Sequence, residues 1–507
     1  MKFLQDKLMF YSLATLTVSA CQVNDKHSEE DISIKPNIVY IYADDMGIGD
    51  ISALNPISQK IKTPAMDQLV NEGLCFSDAH SSSGVSTPAR YSLLTGRYSW
   101  RTSKKRGVLG GLSYPMLAEG RKTVASLLQE NGYETAMIGK WHLGAQWGVK
   151  DQFEKDVADR NMKLGDRFNI EEIDFSKEVK GGPEEHGFDY AYWHVGSLDM
   201  PPYCFIEDKI VSDQEFEYFE GVETMFARKG LKSKSFDFQQ VMPDLTKRAS
   251  NYISEKAKTG KPFFLYLPLT APHTPYVPTD DKIGRTEAGI YGDFVLDVDE
   301  VVDRVLAVLK EQGIDENTMI VLSSDNGAQK HRGKNKPNII ELHGHYTNAG
   351  LYGEKRDVYE GGHRVPYVVR WPKMIKEPRV YEHMIGQMDL MATCAEMLNV
   401  DLTDDMGEDS FSYWNVLKDS AFTQPVRDNL INHSAKGQFA LRQGNWKYID
   451  GQGSGGWTSN DTPDQQLYNL HEDLYEQEEL SEKYPDRMNS MKQELEKIKS
   501  AKGSRLM

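Results

Sequence analysis

Four cysteines in 507 residues, Cys21, Cys75, Cys204 and Cys394, are too few for a dense disulfide framework. Positive charge is also short: 59 Lys and Arg stand against 76 Asp and Glu, and the net charge of −17 argues against a basic nucleic-acid clamp. Beyond the first 20 residues no run is long and apolar enough to span a bilayer. Core-forming residues are not lacking. With 39% hydrophobic and 27% charged residues, a chain of this length buries enough surface to fold, and disorder as a whole is excluded. At about 150 residues per domain the length suggests roughly three domains, and two is the working number.

The amino terminus reads as an address. Lys2 and Lys7 precede an apolar run from Leu8 to Val18, which ends in Ser19-Ala20-Cys21, so residues 1–20 have the form of a secretory signal. Val18-Ser19-Ala20-Cys21 resembles a bacterial lipobox, in which the cysteine becomes the lipidated first residue; the other reading is ordinary cleavage near Ala20. A lipid on Cys21 would anchor the protein at the cell envelope, at the outer membrane, with residues 21–35 as a polar tether. Three cysteines would then remain, and no disulfide is expected.

From Pro36 on, short continuous apolar runs alternate with amphipathic segments. Asn37-Ile-Val-Tyr-Ile-Tyr42, Thr135-Ala-Met-Ile138, Phe263-Phe-Leu-Tyr-Leu267, Met319-Ile-Val-Leu-Ser323 and Tyr367-Val-Val-Arg370 suit strands buried on both faces, with helices over 123–131 and 294–312. The pattern predicts an α/β fold, a large mostly parallel sheet sandwiched by helices, over residues 36–400. Residues 401–507 predict a smaller α+β domain, with antiparallel strands at 439–442 and 446–449, a Gly/Ser-rich loop at 451–456 and a charged helix from about Pro485. There are no internal repeats.

Ligands of parallel sheets sit beyond strand ends. After Tyr42 come Asp44 and Asp45, and after Ser323 come Asp325 and Asn326. Alone, an Asp-Asp pair is more often a cap or turn; two such clusters at two strand ends can share one cation, and oxygen-only ligands favour Ca²⁺ or Mg²⁺. Gly84-Val-Ser86-Thr-Pro88-Ala89-Arg90-Tyr-Ser-Leu-Leu-Thr-Gly96-Arg97 reads as a helix with Pro88 in its first turn, Gly96 as its cap and Ser86 at its anion-favouring start.

That string resembles the signature of formylglycine-dependent sulfatases of the alkaline-phosphatase-like superfamily. Gly132 to Gly144, containing Lys140-Trp141-His142, resembles their second signature. Pro272-His273-Thr-Pro275, Ser324-Asp325-Asn326-Gly327, and Gly353-Glu-Lys355 with Glu360-Gly-Gly362 match later blocks in order. Gly444-Asn-Trp446-Lys447 and Leu467-Tyr-Asn-Leu470 are similar to the family's last domain, so the likeness spans about residues 36–480.

The resemblance implies that Ser86 is oxidised to formylglycine by a serine-type, anaerobic maturation enzyme, since many members have Cys there. It implies calcium ligands Asp44, Asp45, Asp325 and Asn326, with modified residue 86 adding an oxygen. Arg90, Lys140 and Lys355 resemble the cations around the sulfate, and His142 and His273 the acid/base pair. In such chemistry one hydroxyl of the hydrated aldehyde attacks sulfur and the second lets the ester collapse to release sulfate, where plain serine would stall. His273 is assigned to protonate the departing sugar oxygen and His142 to deprotonate the nucleophile; the reverse stays open, because a sequence carries no distances.

The sugar is read from loops. Asp199 in the 196–203 loop, His345 at the end of the Lys-, Arg- and His-rich 332–345 loop, and His363-Arg364 after Glu360-Gly-Gly362 are the candidate substrate contacts. Lipobox and serine-type motif resemble the polysaccharide-degrading sulfatases of Bacteroidetes, implying a sulfated oligosaccharide substrate. Within them the wording resembles exo-acting enzymes that remove 6-O-sulfate from N-acetylgalactosamine in chondroitin-type chains. Ulvan, other marine polysaccharides and 3-O-sulfated galactose are the alternatives. A phosphoester hydrolase of the same superfamily and a non-catalytic glycan-binding lipoprotein are the competing classes.

Overall fold

The computed structural model describes residues 35–222, 226–330, 339–458 and 461–507. The signal, Cys21, nearly all of the tether and residues 332–338 of the basic loop lie outside the described residues. Ten strands form one sheet: β1 (Asn37–Ala43), β2 (Leu74–Phe76), β3 (Glu134–Lys140), β4 (Tyr190–His194), β5 (Ile206–Glu207), β6 (Ile210–Val211), β7 (Phe263–Pro268), β8 (Thr318–Ser324), β9 (Tyr367–Arg370) and β10 (Arg379–Tyr381). Their spatial order is β10-β2-β9-β8-β1-β7-β3-β4-β5-β6. The central five, β8-β1-β7-β3-β4, are all parallel.

Apolar runs become these strands because both faces are covered. On β1, Ile38, Tyr40 and Tyr42 join the layer holding α2 (Ser86–Thr95) and α3 (Val124–Glu130). Val39 and Ile41 face the opposite layer, made by α1 (Pro64–Glu72), α4 (Val241–Ala257) and α5 (Gly289–Glu311). Each fully buried aliphatic side chain contributes about 1.5–3 kcal/mol, so a strand wet on one face would forfeit several such terms.

The sheet is less uniformly parallel than expected. β9, one of the five runs read from sequence as strands buried on both faces, runs antiparallel to both β8 and β2. The cause is the connection: among the described residues between β8 and β9 the helices are the short Ile339–His343 and Glu360–His363, and none of these residues forms a crossover helix to return the chain to the other end of the sheet.

The carboxyl-terminal region forms a second, antiparallel sheet of β11 (Asn429–His433), β12 (Phe439–Gln443), β13 (Trp446–Asp450) and β14 (Gln466–Asn469). Met491, Leu495 and Ile498 of α6 (Pro485–Ser500) pack on Leu430, Leu441, Tyr448 and Leu467, together with Tyr98 and Trp100 from just beyond α2. Cys75, Cys204 and Cys394 are buried free thiols. No helix among the described residues is long and apolar enough to cross a membrane.

Candidate active site

The carboxyl ends of β1, β3, β7 and β8 converge on the first turn of α2. Val85 is extended, the helix begins at Ser86, and Gly96 closes it in the left-handed conformation (φ 63°), its N–H donating to the Ser92 carbonyl. Every residue from Ser86 to Thr95 is buried, so this helix is fixed on all sides.

Three carboxylates and three cations surround Ser86. Lys140 Nζ donates to both oxygens of Asp44 (2.8 and 2.6 Å) and to Ser86 Oγ (3.3 Å), and Ser86 Oγ lies 3.4 Å from Asp44 Oδ1. Arg90 donates through Nε and Nη2 to Asp325 Oδ2 (3.1 and 2.7 Å) and reaches Asp44 at 3.5 Å. Lys355 Nζ donates to Asp45 Oδ2 at 2.5 Å. Asn326 Nδ2 donates to Asp45 Oδ1 (2.7 Å), which leaves the buried Asn326 Oδ1 with no partner. The turn holding Asp325 and Asn326 sits so close to the Glu360–His363 helix that a Cβ on Gly327 would lie 1.9 Å from the Gly361 carbonyl oxygen.

Burial alone would raise the Asp44 and Asp45 pKa values. The cations outweigh it: Lys140, His273 and Arg90 hold Asp44 below the ordinary carboxylate range, and Lys355 and His273 do the same for Asp45. For Lys355, burial pulls down and the carboxylates win, raising it; for Lys140, burial wins over Asp44 and lowers it. A set of three carboxylate groups and one orphaned amide oxygen offers hard donors only, which fits Ca²⁺ or Mg²⁺. Asp44, Asp45 and His273 also bring ligand-type atoms within 4.8 Å of one another.

The two imidazoles differ. His142 Nε2 donates to the Leu109 carbonyl (2.9 Å), so Nδ1 carries the lone pair, and that atom is buried without a partner. Burial, reinforced by Lys140 and Arg90, pushes His142 well below its ordinary pKa, keeping it neutral. Its backbone is left-handed (φ 58°), as is that of Asp45 (φ 64°), conformations costing about 1–3 kcal/mol for such residues. Thr87 Oγ1 helps hold the turn by donating to the His142 carbonyl (3.0 Å). His273 Nδ1 donates to the Thr274 carbonyl (2.5 Å), and its Nε2 faces Asp45 Oδ2 at 3.6 Å.

Above this cluster opens a cleft of about 610 Å³, lined by Ser86, His142, His273, Lys355 and Asp199 among others. Asp199 is held by Arg228 (2.9 Å) and keeps a buried Oδ1 without a partner. The other three sugar candidates lie elsewhere. His345 is buried with Nε2 on Asp50 Oδ1 (2.8 Å) and lines no part of this cleft. His363 Nδ1 shares a hydrogen bond with His80 Nδ1 (3.0 Å), and Arg364 pairs with Glu360 and Asp78 (3.0 and 3.1 Å). All three are sealed in buried charge networks, which a loop composition does not reveal. Conversely, Thr274, Arg228, Lys229, Arg356 and Trp457 line the cleft and were not foreseen. Trp457, directly after the Gly/Ser-rich loop, was the available signal.

Residues 36–400 match the family described as "Sulfatase", and residues 348–501 match "N-sulphoglucosamine sulphohydrolase, C-terminal". The chain is 28% identical over 525 residues to the N-acetylgalactosamine-6-O-sulfatase of Bacteroides thetaiotaomicron, covering 95% of this chain and 97% of that protein. It is 27% identical over 409 residues to human steryl-sulfatase, covering 75% and 69%. A solved structure from the glycosaminoglycan metabolism of Bacteroides thetaiotaomicron superposes with a TM-score of 0.80 at 27% identity, covering 92% of this chain and 100% of that one. A large mixed sheet with charged strand ends at Ser86, and a family match over most of the chain, lead to one conclusion: the protein belongs to the sulfatase family and is a sulfuric ester hydrolase.

Proposed function

We propose that this sulfatase removes the 6-O-sulfate of N-acetylgalactosamine in sulfated glycans of the chondroitin type, using Ser86 as formylglycine and Ca²⁺ held by Asp44, Asp45, Asp325, Asn326 and residue 86. The observation that carries the reading is the end-to-end likeness to an N-acetylgalactosamine-6-O-sulfatase, 95% of this chain against 97% of that one, joined to a cleft whose floor is Ser86. Formylglycine, once hydrated, supplies a hydroxyl nucleophile and a second hydroxyl that allows sulfate to leave without a second hydrolysis. A divalent ion held by these residues would supply positive charge to bind and polarise the sulfate group.

The remaining work falls to side chains. Lys140, within reach of Ser86 Oγ and of Asp44, and Lys355 bind and orient the anionic ester. Arg90 is locked on Asp325 and adds charge where negative charge develops. His142, neutral with a free Nδ1, accepts the proton of the attacking hydroxyl. His273, with Nδ1 committed to the Thr274 carbonyl, presents Nε2, beside Asp45, to the cleft and is the group placed to protonate the departing sugar oxygen. Asp199 Oδ1 accepts a sugar hydroxyl. A phosphoester hydrolase is disfavoured: the other His and carboxylate group among the described residues, His80, Glu360 and His363, is filled by the Lys447 ammonium and serves no second ion beside Ser86.

The test is sulfate release from N-acetylgalactosamine 6-sulfate, its 4-sulfate, galactose 3-sulfate and ulvan oligomers, with protein whose Ser86 aldehyde is verified by peptide mass. Release from the 6-sulfate is expected. Release only from ulvan or galactose 3-sulfate overturns the substrate, and release from no ester by verified protein overturns the catalytic reading. For the location, Val18-Ser19-Ala20-Cys21 supports a lipid on Cys21 at the outer membrane. Labelled palmitate should enter the wild type and not Cys21→Ser; equal labelling removes the anchor.

A further inference from the structure

The Gly/Ser-rich loop at 451–456 has no part in the chemistry above, yet it delivers Trp457 to the cleft. Its docking is specified by glycine. A Cβ on Gly455, whose φ is 63°, would meet Ser434 Oγ at 2.2 Å, and one on Gly456 would meet Asp357 Oδ1 at 2.2 Å and the Arg356 backbone at 2.6 Å. Asp357 is the anchor: its Oδ1 accepts from the backbone N–H groups of Trp457 (2.8 Å) and Thr458 (3.2 Å), and its Oδ2 from Thr458 Oγ1 and from the Glu354 N–H (2.9 Å). Ser454 adds its carbonyl to the Val358 N–H (2.9 Å).

The same turn strains Arg356, which adopts φ 82°, a conformation that non-glycine residues avoid. The strain persists because the neighbours fix both sides: the Arg356 N–H donates to the Gly84 carbonyl (2.6 Å) and its carbonyl accepts from Ala435 (2.8 Å). The guanidinium lies over the Trp457 ring, 4.7 Å from its centroid. Trp457 remains 43% exposed and, like Arg356, lines the cleft next to Lys355.

Of the other cations that line the cleft, Lys355 and Arg228 pair with Asp45 and Asp199, and Lys229 lies on the Arg228 side of the wall; beneath the cleft, Arg90 and Lys140 pair with Asp325 and Asp44. Among the described residues no carboxylate lies within ion-pair distance of the Arg356 guanidinium. Burial pushes Arg356 below its ordinary pKa, with Asp45 and Asp357 pulling it back only in part, so an added anion would be stabilising there. An arginine backed by an indole keeps its planar N–H fork free for a carboxylate or sulfate, while the indole presents apolar surface to a pyranose ring.

We propose that Arg356 and Trp457 form a second anion subsite, which reads a carboxylate or second sulfate on the substrate beyond the ester being hydrolysed, with Trp457 as the sugar platform. The proposal rests on the glycan-sulfatase reading and adds that the preferred substrate carries two anionic groups. The second anion has two sources, a uronate on the neighbouring sugar or a further sulfate on the same sugar.

The experiment compares kcat/KM for three esters: N-acetylgalactosamine 6-sulfate, the 4,6-disulfate, and a uronate-containing disaccharide bearing the 6-sulfate. Wild-type turnover of the first tests the proposed substrate independently; should another monosulfated sugar be the one hydrolysed, the comparison uses that sugar with and without a second anion. Arg356→Gln should lower kcat/KM on the doubly anionic ester by about 10–100-fold more than on the singly anionic one, as loss of one charge-assisted contact predicts. Arg356→Lys should recover part of the loss. The arm that responds, uronate or disulfate, identifies the source. Trp457→Ala, with thermal unfolding measured alongside, should raise KM on both. Equal losses on singly and doubly anionic esters in Arg356→Gln, with unchanged thermal unfolding, would overturn the subsite.

Discussion

The cluster around Ser86 and the cluster around Glu360 are built from the same residue types, both are buried, and both contain stretches that match family blocks. Around Glu360 the charges are used up internally. Asp78 takes His80, Arg364 and Arg442 (2.7, 3.1 and 3.2 Å), Glu360 takes Lys447 and Arg364 (both 3.0 Å), and Glu476 takes Lys447 (2.7 Å). Arg442 and Lys447 come from β12 and β13, so this cluster rivets the antiparallel sheet to the large one. Around Ser86, Asn326 Oδ1, His142 Nδ1 and, at the cleft wall, Asp199 Oδ1 are buried without a hydrogen-bond partner; the Glu360 cluster has such atoms on Arg442 and Glu476, but these side chains pair with charges inside the cluster and none of them lines the cleft. Composition does not separate a catalytic centre from a structural clasp; the unmet bonding capacity facing a cleft does.

The contrast can be broken at several points. Ser86→Ala should reduce sulfate release by at least about 10³-fold, with the fold intact by circular dichroism, because only the nucleophile is lost; surviving turnover would refute the role of Ser86. Asp325→Asn should weaken calcium binding and turnover together by about 10²-fold, since one hard charged ligand is lost and Arg90 is released. Calcium titration by calorimetry checks it, and an unchanged affinity removes Asp325 from the site.

Lys447→Met should act the other way. It leaves Glu360 and Glu476 buried without their shared cation and should cost about 3–5 kcal/mol in denaturant unfolding, while kcat/KM of the folded fraction stays close to wild type. A loss of kcat/KM without loss of stability would move the Glu360 cluster into the active site.

The most gradual effect concerns pH. Burial depresses His186 and His433 to about 4, below the ordinary value of 6.5. Above pH 6.5 neither folded nor unfolded chain is protonated at these rings, so their contribution to stability is fully present. As pH falls from 6.5 toward 4 the unfolded chain takes the protons first, and each ring should remove up to about 1.4 kcal/mol per pH unit. Urea midpoints across that range should show the slope, and His433→Gln should flatten it.

Much of this was legible without coordinates. The five apolar runs are strands, and Asp44, Asp45, Ser86, Arg90, Lys140, His142, His273, Asp325, Asn326 and Lys355 do come together, because strand ends of a parallel sheet must share one rim. What failed depended on partners far along the chain. His345 looked like a loop ligand because Asp50, 295 residues away, is invisible from its neighbourhood. His363 and Arg364 were misplaced for the same reason, their partners being His80, Asp78 and Lys447. The direction of β9 was hidden because an apolar run has no polarity; only its connection shows which end the chain enters.

One feature of α2 bears on timing. Ser86 is 2% exposed, and the ten residues that follow its start are buried without exception. On the proposed formylglycine reading, an enzyme that modifies Ser86 would find it enclosed once the helix is docked between the sheet and its covering layer. Oxidation would then compete with folding, and a chain that folds unmodified would keep a plain serine at the floor of its cleft.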